Sequence, residues 1–302
     1  MLKNLKSFFK NSWCWYLLFI ANKDILEIQS NLYSNTKFSK EYKPNKKKVF
    51  CILEQGNELN NKLTENRKQK FNTEFSDCIR LNWANNKDDK LADYFSENIC
   101  WSEGRSYLFE QVKGDYDFYI FIDDDVDIQL KENIGEDIAI ILRDQLLNYN
   151  PIHGSIPNDA WPTKFLKNNF GDTFKMKGGD LCVQIFRDDF AQFMFPTWEH
   201  GSGKSMWYCQ FIAHILFTNQ SLYLNKFQAF NTRHVPHQDI SKSNYNNASK
   251  LIKSFADSLS KESLRNLFKY WREYSLSNHM LRTNKFYNYE IKKELFNDIL
   301  KN

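Results

Sequence analysis

Four acidic residues lie close together near the middle of the chain, and their spacing suits metal chemistry. They are Asp123, Asp124, Asp125 and Asp127, and they follow an apolar run at residues 118–122 that predicts a buried strand. Carboxylates this close repel one another, and a divalent cation that prefers oxygen ligands would neutralise them. The pattern therefore predicts a Mg²⁺ or Mn²⁺ site at the end of a strand, where α/β sheets bind ligands. The alternative is an acidic loop with solvated charges.

The composition is that of a folded, globular protein. The chain has 302 residues, of which 42% are hydrophobic and 26% are charged, so intrinsic disorder is excluded. The net charge of +4 is too small to predict a nucleic-acid binder. The six cysteines include no C-x-x-C pair, so a zinc site is not predicted, and free thiols in apolar segments fit a reducing compartment.

Apolar runs alternate with helical patterns along the central part of the chain. This alternation predicts an α/β fold with a mostly parallel sheet flanked by helices. The expected strands are residues 48–53, 78–83, 118–122, 181–186 and 222–230, and the expected helices are residues 57–70, 90–112, 134–147, 188–194 and 206–217. Gly104 is expected to divide the second helix into two, and residues 151–162 are expected to form a loop.

The distribution of residue types predicts three parts. Residues 1–45 are expected to form an N-terminal helical extension, and residues 46–240 the central α/β domain. A run rich in Ser, Asn and Lys at residues 241–249 marks the last boundary, so residues 241–302 are expected to form a C-terminal helical region.

The order of these parts resembles the GT-A class of nucleotide-sugar glycosyltransferases. In that class a helix with a Gly-x-Arg pattern precedes an apolar strand that ends in Asp-x-Asp. Here the similar segment reads Gly104-Arg105-Ser106, and the strand ends in residues 123–125. Residues 185–190 are similar to the strand and helix that follow the acceptor loop of the class, and a histidine follows the last strand, either His234 or His237.

The resemblance covers about residues 48–240 and implies a Rossmann-like GT-A fold. It implies transfer of a sugar from a nucleotide-sugar donor, most simply a UDP-sugar, to a glycan or lipid-linked glycan, as in polysaccharide biosynthesis. It implies Mn²⁺ or Mg²⁺ as the cofactor, with Asp123, Asp125 and His237 as ligands and His234 as the alternative to His237. The donor contacts that it implies are Glu54, Gln55, Asn57, Arg105 and Asp123.

Particular residues carry the chemistry that the resemblance implies. Arg105 is placed to contact a phosphate or a sugar, with an ion pair to one of the aspartates as the alternative. Asp124 is placed to face the donor sugar. Inverting members carry an acidic residue at the start of the helix after the acceptor loop, but residues 203–206 contain none. The nearest acid, Glu199, is therefore the candidate general base, with Asp180 and Asp239 as weaker candidates. The alternative is that Glu199 is only a surface residue of the loop. Ser106 stands where the class has Asn, and both departures leave inverting and retaining chemistry open.

Two other functions are consistent with the sequence. The Asp-Asp-Asp-x-Asp pattern also resembles the acidic motif of phosphotransferases that decorate glycans with phosphocholine. In that family the motif usually follows Pro-Trp, whereas here it follows Phe121 and Ile122. A non-catalytic sugar-binding relative is the third interpretation, because the helix-start carboxylate is missing.

The N-terminus bears on location. Its basic residues are Lys3, Lys6 and Lys10, and its aromatic residues include Phe8, Phe9, Trp13 and Trp15. No apolar run reaches the roughly 20 residues that a spanning helix needs. We therefore expect a cytoplasmic protein with peripheral contact at the inner face of a membrane and no nucleic-acid partner. The alternative is that these aromatic side chains pack in the core.

Overall fold

A computed structural model describes the central part of the chain. The described residues are 42–97, 99, 101–132, 135–158, 171–175, 182–195 and 221–232. They lie within one compact unit, Lys37–Ile240. Among them, no helix is long and apolar enough to cross a membrane. Of the predicted extensions at residues 1–45 and 241–302, only residues 42–45 are described, and they form no regular element, so these boundaries stay a prediction.

Strands and helices alternate through most of the described residues. The strands are β1 (Lys48–Gly56), β2 (Ser76–Asn82), β3 (Tyr94–Phe95), β4 (Tyr116–Asp123), β5 (Val126–Leu130), β6 (His153–Ser155), β7 (Thr173–Lys175), β8 (Val183–Arg187), β9 (Ser221–Leu224) and β10 (Phe227–Asn231). The helices are α1 (Lys62–Phe71), α2 (Trp101–Val112), α3 (Ile138–Tyr149) and α4 (Asp188–Met194).

Eight of these strands form one sheet in the order β3-β2-β1-β4-β8-β6-β9-β7. Strand β1 runs parallel to β2 and β4, and β2 runs parallel to β3. Strand β8 is antiparallel to both β4 and β6, so β6 runs in the direction of β4, and β9 runs parallel to β6. The edge strand β7 is antiparallel to β9, and β5 pairs with β10 in a separate two-stranded sheet. The prediction of a mostly parallel α/β sheet is confirmed.

Strands β1 and β4 lie at the centre of the core because they are apolar on both faces, as covered parallel strands are. On one face, Phe50 and Ile120 belong to a cluster that also contains Leu142 of α3. On the other face, the ring of Phe195, just after α4, lies 4.9 Å from that of Phe121. The ring of Phe109, in α2, lies 5.2 Å from that of Phe195. This two-sided packing fixes the ends of β1 and β4.

Gly104 lies inside a helix and does not divide it. Helix α2 is continuous over Trp101–Val112, and the short strand β3 precedes it, so the prediction of two helices over residues 90–112 is wrong. A Cβ atom at Gly104 would lie 2.5 Å from Oε1 of Gln55. The glycine therefore allows α2 to approach β1 closely.

Several short strands differ from the prediction. Strand β5 begins directly after Asp125 and contains Asp127. Strand β6 lies within the predicted loop at residues 151–162. The predicted strand at residues 222–230 is two strands, β9 and β10, joined by a turn and belonging to different sheets. Strands of three to five residues contain too few alternations for their period to be recognised. The predicted helix at residues 206–217 lies outside the described residues.

Candidate functional site

The acidic run lies at the carboxyl end of β4. Asp123 is the last residue of this strand, and Asp124 and Asp125 form the turn that leads into β5. We call these two residues the acidic turn. Strand β1 runs parallel beside β4 and places Gln55 directly opposite Asp123. The carboxyl ends of two central parallel strands therefore meet at the predicted edge of the sheet.

Asp123 forms an ion pair with Arg105. Nη2 of Arg105 lies 3.3 Å from Oδ1 of Asp123, and Nη1 donates to Oε1 of Gln184 at 2.9 Å. The guanidinium group also lies 5.7 Å from the ring centre of Phe121. Burial lowers the pKa of Arg105, and the charge of Asp123 opposes this shift. The predicted alternative of an ion pair with an aspartate is thus observed, and a phosphate contact by Arg105 stays a prediction.

The carboxylate of Asp124 contacts the backbone of Glu58 and the side chain of Arg80. Its Oδ2 accepts from the backbone N–H of Glu58 at 3.4 Å and lies 3.8 Å from Nη2 of Arg80. The backbone N–H of Asp124 donates to the carbonyl oxygen of Gln55 at 3.1 Å, and its own carbonyl accepts from Nδ2 of Asn61 at 2.9 Å. Asp124 therefore joins the acidic turn to the loop between β1 and α1.

Gly56, the last residue of β1, makes room for Asp124. A Cβ atom at Gly56 would lie 2.5 Å from Cβ of Asp124 and closer still to its carboxyl group. Real Cβ atoms do not approach other heavy atoms this closely, so a side chain at position 56 is incompatible with this position of Asp124. Nothing in the sequence pattern indicated this role of Gly56.

The pKa of Asp124 is raised to about 6, chiefly because the carboxyl group is buried, while the charge of Arg80 acts in the opposite direction. Burial disfavours the charged form of a carboxyl group, so a buried carboxyl that is charged at neutral pH lowers the stability of the folded protein. Such shifted groups are concentrated at functional sites.

We expect Asp124→Asn to stabilise the metal-free protein at neutral pH. Because the folded-state pKa of about 6 lies above the ordinary value of 3.8, ionisation of Asp124 opposes folding. This cost is absent below about pH 4, grows between about pH 4 and pH 6, and is constant above that range. A shift of about two units corresponds to at most about 3 kcal/mol. Thermal unfolding in EDTA should show the gain at pH 7.5 and not at pH 4. A loss of stability at pH 7.5 would contradict the prediction.

Glu54 is fully buried, and its carboxylate accepts three side-chain hydrogen bonds. Oε1 accepts from the hydroxyl of Thr64 and from Nη1 of Arg80, and Oε2 accepts from Nη1 of Arg67. Both carboxylate oxygens are therefore engaged inside the protein. Direct contact between Glu54 and a nucleotide stays a prediction.

Arg80 extends these contacts to a second buried carboxylate. Its Nε donates to Oδ2 of Asp89 at 2.9 Å, and Nδ2 of Asn82 donates to the same oxygen at 3.1 Å. Burial acts to raise the pKa of Asp89, but the hydrogen bonds from Asn82 and Arg80 lower it overall. Arg67, Arg80 and Asp89 were not among the predicted site residues. The available sign of pairing was a charged residue beside or inside an apolar strand, since Glu54 directly follows the first predicted strand and Arg80 lies inside the second.

The backbone of Asp125 is bonded to Thr232, the residue that follows β10. Its carbonyl oxygen accepts from the backbone N–H of Thr232 at 2.8 Å and from its hydroxyl at 2.9 Å. These bonds continue the pairing of Asn231 with Val126. The chain that follows β10 therefore begins beside the acidic turn.

The predicted site residues divide into two groups. The structure describes Glu54, Gln55, Asn57, Arg105, Asp123, Asp124 and Asp125, all at or near one edge of the sheet. Asn57 is exposed, whereas Gln55 is buried, and neither polar atom of the Gln55 amide has a hydrogen-bond partner within the described part of the chain. The second group, Glu199, His237 and the alternative His234, lies outside the described residues.

Asp123 and Asp125 are the two carboxylates predicted to hold a cation, and both residues are partly exposed. Within the described ranges, no three or more His, Cys, Asp or Glu side chains converge closely enough to hold a metal ion. A Mg²⁺ ion is usually held by one or two carboxylates together with water and substrate phosphates, without a complete protein cage. Two neighbouring carboxylates at an exposed edge fit a cation that shares its ligands with a phosphate.

No protein family model and no curated protein matches this chain. Among solved structures, the chain is similar to GalNAc-T7, crystallised with UDP, GalNAc and Mn²⁺, at 9% identity and a TM-score of 0.45. That alignment covers 82% of this chain and 55% of GalNAc-T7, so the chain spans about half of that protein's length. The chain is also similar to A197 from STIV, at 11% identity and a TM-score of 0.34, covering 60% of this chain and 84% of A197. Both TM-scores are too low to assign a function.

Proposed function

We propose that this protein is a metal-dependent glycosyltransferase that moves a sugar from a nucleotide-sugar donor to a glycan or lipid-linked glycan acceptor. The observation that carries the proposal is the position of Asp123 and the acidic turn at the carboxyl end of β4, beside the parallel strand β1. Ligands of α/β sheets bind at this edge. The buried guanidinium of Arg105 adds a positive charge directly beneath it.

The residues at this edge have distinct proposed roles. A Mn²⁺ or Mg²⁺ ion held by Asp123 and Asp125 would stabilise the negative charge of the departing nucleoside diphosphate. Arg105 orients the carboxylate of Asp123 through their 3.3 Å ion pair. Gln55 and Asn57, at the end of β1 and just after it, are proposed to contact the nucleotide, for which a UDP-sugar is the first candidate.

Two residues implied by the resemblance receive modified roles. The carboxylate oxygens of Glu54 bond to Arg67 and Arg80, so we assign Glu54 to support of the site and not to donor contact. The carboxylate of Asp124 bonds to the backbone of Glu58, which favours positioning of the turn over contact with the donor sugar.

His237 is proposed as the third metal ligand, with His234 as the alternative. Thr232 bonds to Asp125, and an extended chain spans at most about 3.6 Å per residue. The two residues from Thr232 to His234 can span at most about 7 Å, and the five residues from Thr232 to His237 at most about 18 Å. Either imidazole is within reach of the acidic turn, and imidazole suits Mn²⁺ better than Mg²⁺.

Glu199 remains the proposed general base for the acceptor hydroxyl, and the stereochemical outcome is left open. The proposed location is the cytoplasm, at the inner face of a membrane. The basic and aromatic residues near the N-terminus motivate it, and flotation with anionic liposomes at low and high salt tests it. Protein that stays in the soluble fraction at both salt concentrations would remove the membrane contact from the proposal.

We expect Asp125→Asn to weaken Mn²⁺-dependent nucleotide binding at least tenfold while the protein stays folded, because a hard cation loses one of its charged ligands. A panel of nucleotide sugars, tested by thermal shift with and without Mn²⁺, first identifies the donor, and calorimetry then gives its affinity. Asp127→Asn is the matched control, since this carboxylate lies in β5 and accepts from Nε2 of Gln129 at 2.7 Å.

Unchanged nucleotide affinity in Asp125→Asn would contradict the proposed site. Release of nucleoside diphosphate in the presence of a glycan acceptor measures transfer itself. Nucleotide-sugar binding without any transfer would favour a non-catalytic sugar-binding relative.

A further inference from the structure

A network of buried ion pairs lies beneath the acidic turn, and none of its members is placed to touch a donor. It consists of Glu54, Arg67, Arg80 and Asp89, each at most 3% exposed, and we call it the turn clamp. We propose that the turn clamp fixes the position of the acidic turn and thereby sets its affinity for a divalent cation, with Arg80 as the main positioning residue. The inference rests on the proposed function, because it concerns the same cation site.

Arg80 joins three parts of the chain through its three nitrogen atoms. Nε donates to Asp89 in the loop after β2, and Nη1 donates to Glu54 in β1. Nη2 donates to the carbonyl oxygen of Glu58 and lies 3.8 Å from the carboxylate of Asp124. Nη1 also donates to the hydroxyl of Thr64 at 2.9 Å. The side chain of Arg80 is fully buried, so it acts on a bound ligand only through such partners.

Arg67 holds the other end of the acidic turn. Its Nη2 donates to the carbonyl oxygen of Val126, the first residue of β5, and its Nη1 donates to Glu54. The acidic turn is thus held at its first residue, Asp124, and at Val126, the residue that follows it. Glu54 connects both guanidinium groups, so a movement of either one is resisted by the other.

The chemistry of the turn clamp favours a positioning role over a purely stabilising one. A buried ion pair is often no more stabilising than apolar residues of the same volume. A guanidinium group, however, offers donors in a fixed plane and holds several acceptors at set positions, which an ammonium group does not. The acceptors here include the carbonyl oxygens of Glu58, whose N–H donates to the carboxylate of Asp124, and of Val126, which follows Asp125.

Cation affinity depends on this positioning because Mg²⁺ demands near-ideal octahedral geometry with ligand distances of about 2.0–2.1 Å. A carboxylate that is free to move spends less time at such a distance. Residues that orient metal ligands without touching the metal typically contribute about 10- to 100-fold to metal affinity.

The test compares Arg80→Lys with the wild-type chain by electron paramagnetic resonance, with Mn²⁺ as the probe, in the absence and in the presence of UDP. Arg80→Lys keeps the positive charge and loses the planar set of donors, so we expect roughly tenfold weaker Mn²⁺ binding. If turnover is measured, the KM for Mn²⁺ should rise while kcat at saturating Mn²⁺ stays close to that of the wild-type protein.

Arg187→Lys is the matched control. Arg187 is equally buried, and its Nε and Nη2 bond to Asp189 at 2.7 and 2.9 Å. It pairs with Phe118 in the first half of β4, away from the carboxyl end of that strand. Its loss should lower stability without changing Mn²⁺ affinity.

Asp89→Asn is a second variant for the case that Arg80→Lys does not fold, because it weakens the hold on Nε of Arg80 and retains an oxygen acceptor. The inference would be overturned if a folded Arg80→Lys or Asp89→Asn protein bound Mn²⁺ with wild-type affinity. It would also be overturned if Arg187→Lys lost as much Mn²⁺ affinity as Arg80→Lys. A wild-type chain that binds Mn²⁺ but transfers no sugar would overturn the proposed function and leave the inference standing. A wild-type chain that binds no Mn²⁺ overturns both.

Discussion

Glu54→Ala is expected to lower the free energy of unfolding by about 3–5 kcal/mol, because it leaves two buried guanidinium groups without their shared carboxylate. Arg67 and Arg80 both donate to Glu54, and all three side chains are almost completely buried. Water cannot replace the lost charge without opening the space between β1, β2 and α1. Urea denaturation measures the loss directly, provided that the slope with denaturant stays the same.

Glu110→Ala is the control for Glu54→Ala. Glu110 pairs with Lys113 on the surface of α2, where 53% of the Lys113 side chain is exposed. Exposed pairs of this kind contribute about 1 kcal/mol or less. Similar losses in the two variants would mean that burial of the Glu54 pairs has no special energetic role. Glu54→Gln, which keeps the shape and loses the charge, should lie between them.

The position of the candidate site was predictable from the sequence because it depends on a long local pattern. Residues 118–122 are uniformly apolar, and strand β4 is buried along almost its whole length. Placing Asp123 at the carboxyl end of a parallel strand required only this pattern and the general behaviour of α/β sheets. The short strands were missed for the opposite reason, since β5 is defined mainly by its pairing with the distant strand β10.

The internal arrangement of the site was only partly predictable because it depends on contacts between distant residues. An ion pair between Arg105 and an aspartate was one of two predicted alternatives, but the sequence does not show which aspartate faces Arg105. The chain turns after Asp123, the first of the three aspartates. Side chains in a strand alternate between faces, and a turn ends that alternation. Asp123 therefore pairs with Arg105, while Asp124 bonds toward Glu58.

The ion pairs of the turn clamp were not predictable for the same reason. Glu54 and Arg80 are separated by 26 positions in the sequence and meet only because β1 and β2 are neighbours in register. Taken alone, Glu54 at the end of an apolar run and Arg80 within one are each consistent with an exposed side chain. Their burial became evident only when both strands were placed in one sheet.

Gly56→Ala is expected to displace the acidic turn, which makes it the most direct test of how this edge of the sheet is built. The added Cβ atom would lie 2.5 Å from Cβ of Asp124 and nearer still to its carboxyl group. A carboxyl group can rotate away from a clash, but a Cβ atom is fixed to the backbone, so the turn itself must move. Overpacking of this kind costs about 1–3 kcal/mol. Because the shift also moves Asp125, we expect Mn²⁺-dependent nucleotide binding to fall about 10- to 100-fold.

Two further variants separate this steric effect from a general intolerance of alanine. Gly171→Ala should leave binding unchanged and should not lower stability, because none of the described residues lies within 4 Å of a Cβ atom placed there. The combination of Gly56→Ala with Asp124→Gly removes the whole clashing side chain. The stability lost through Gly56→Ala should therefore be smaller in the Asp124→Gly background, as residues in contact are not additive. Equal losses in both backgrounds would show that Gly56 is needed for its backbone and not for the room that it gives Asp124.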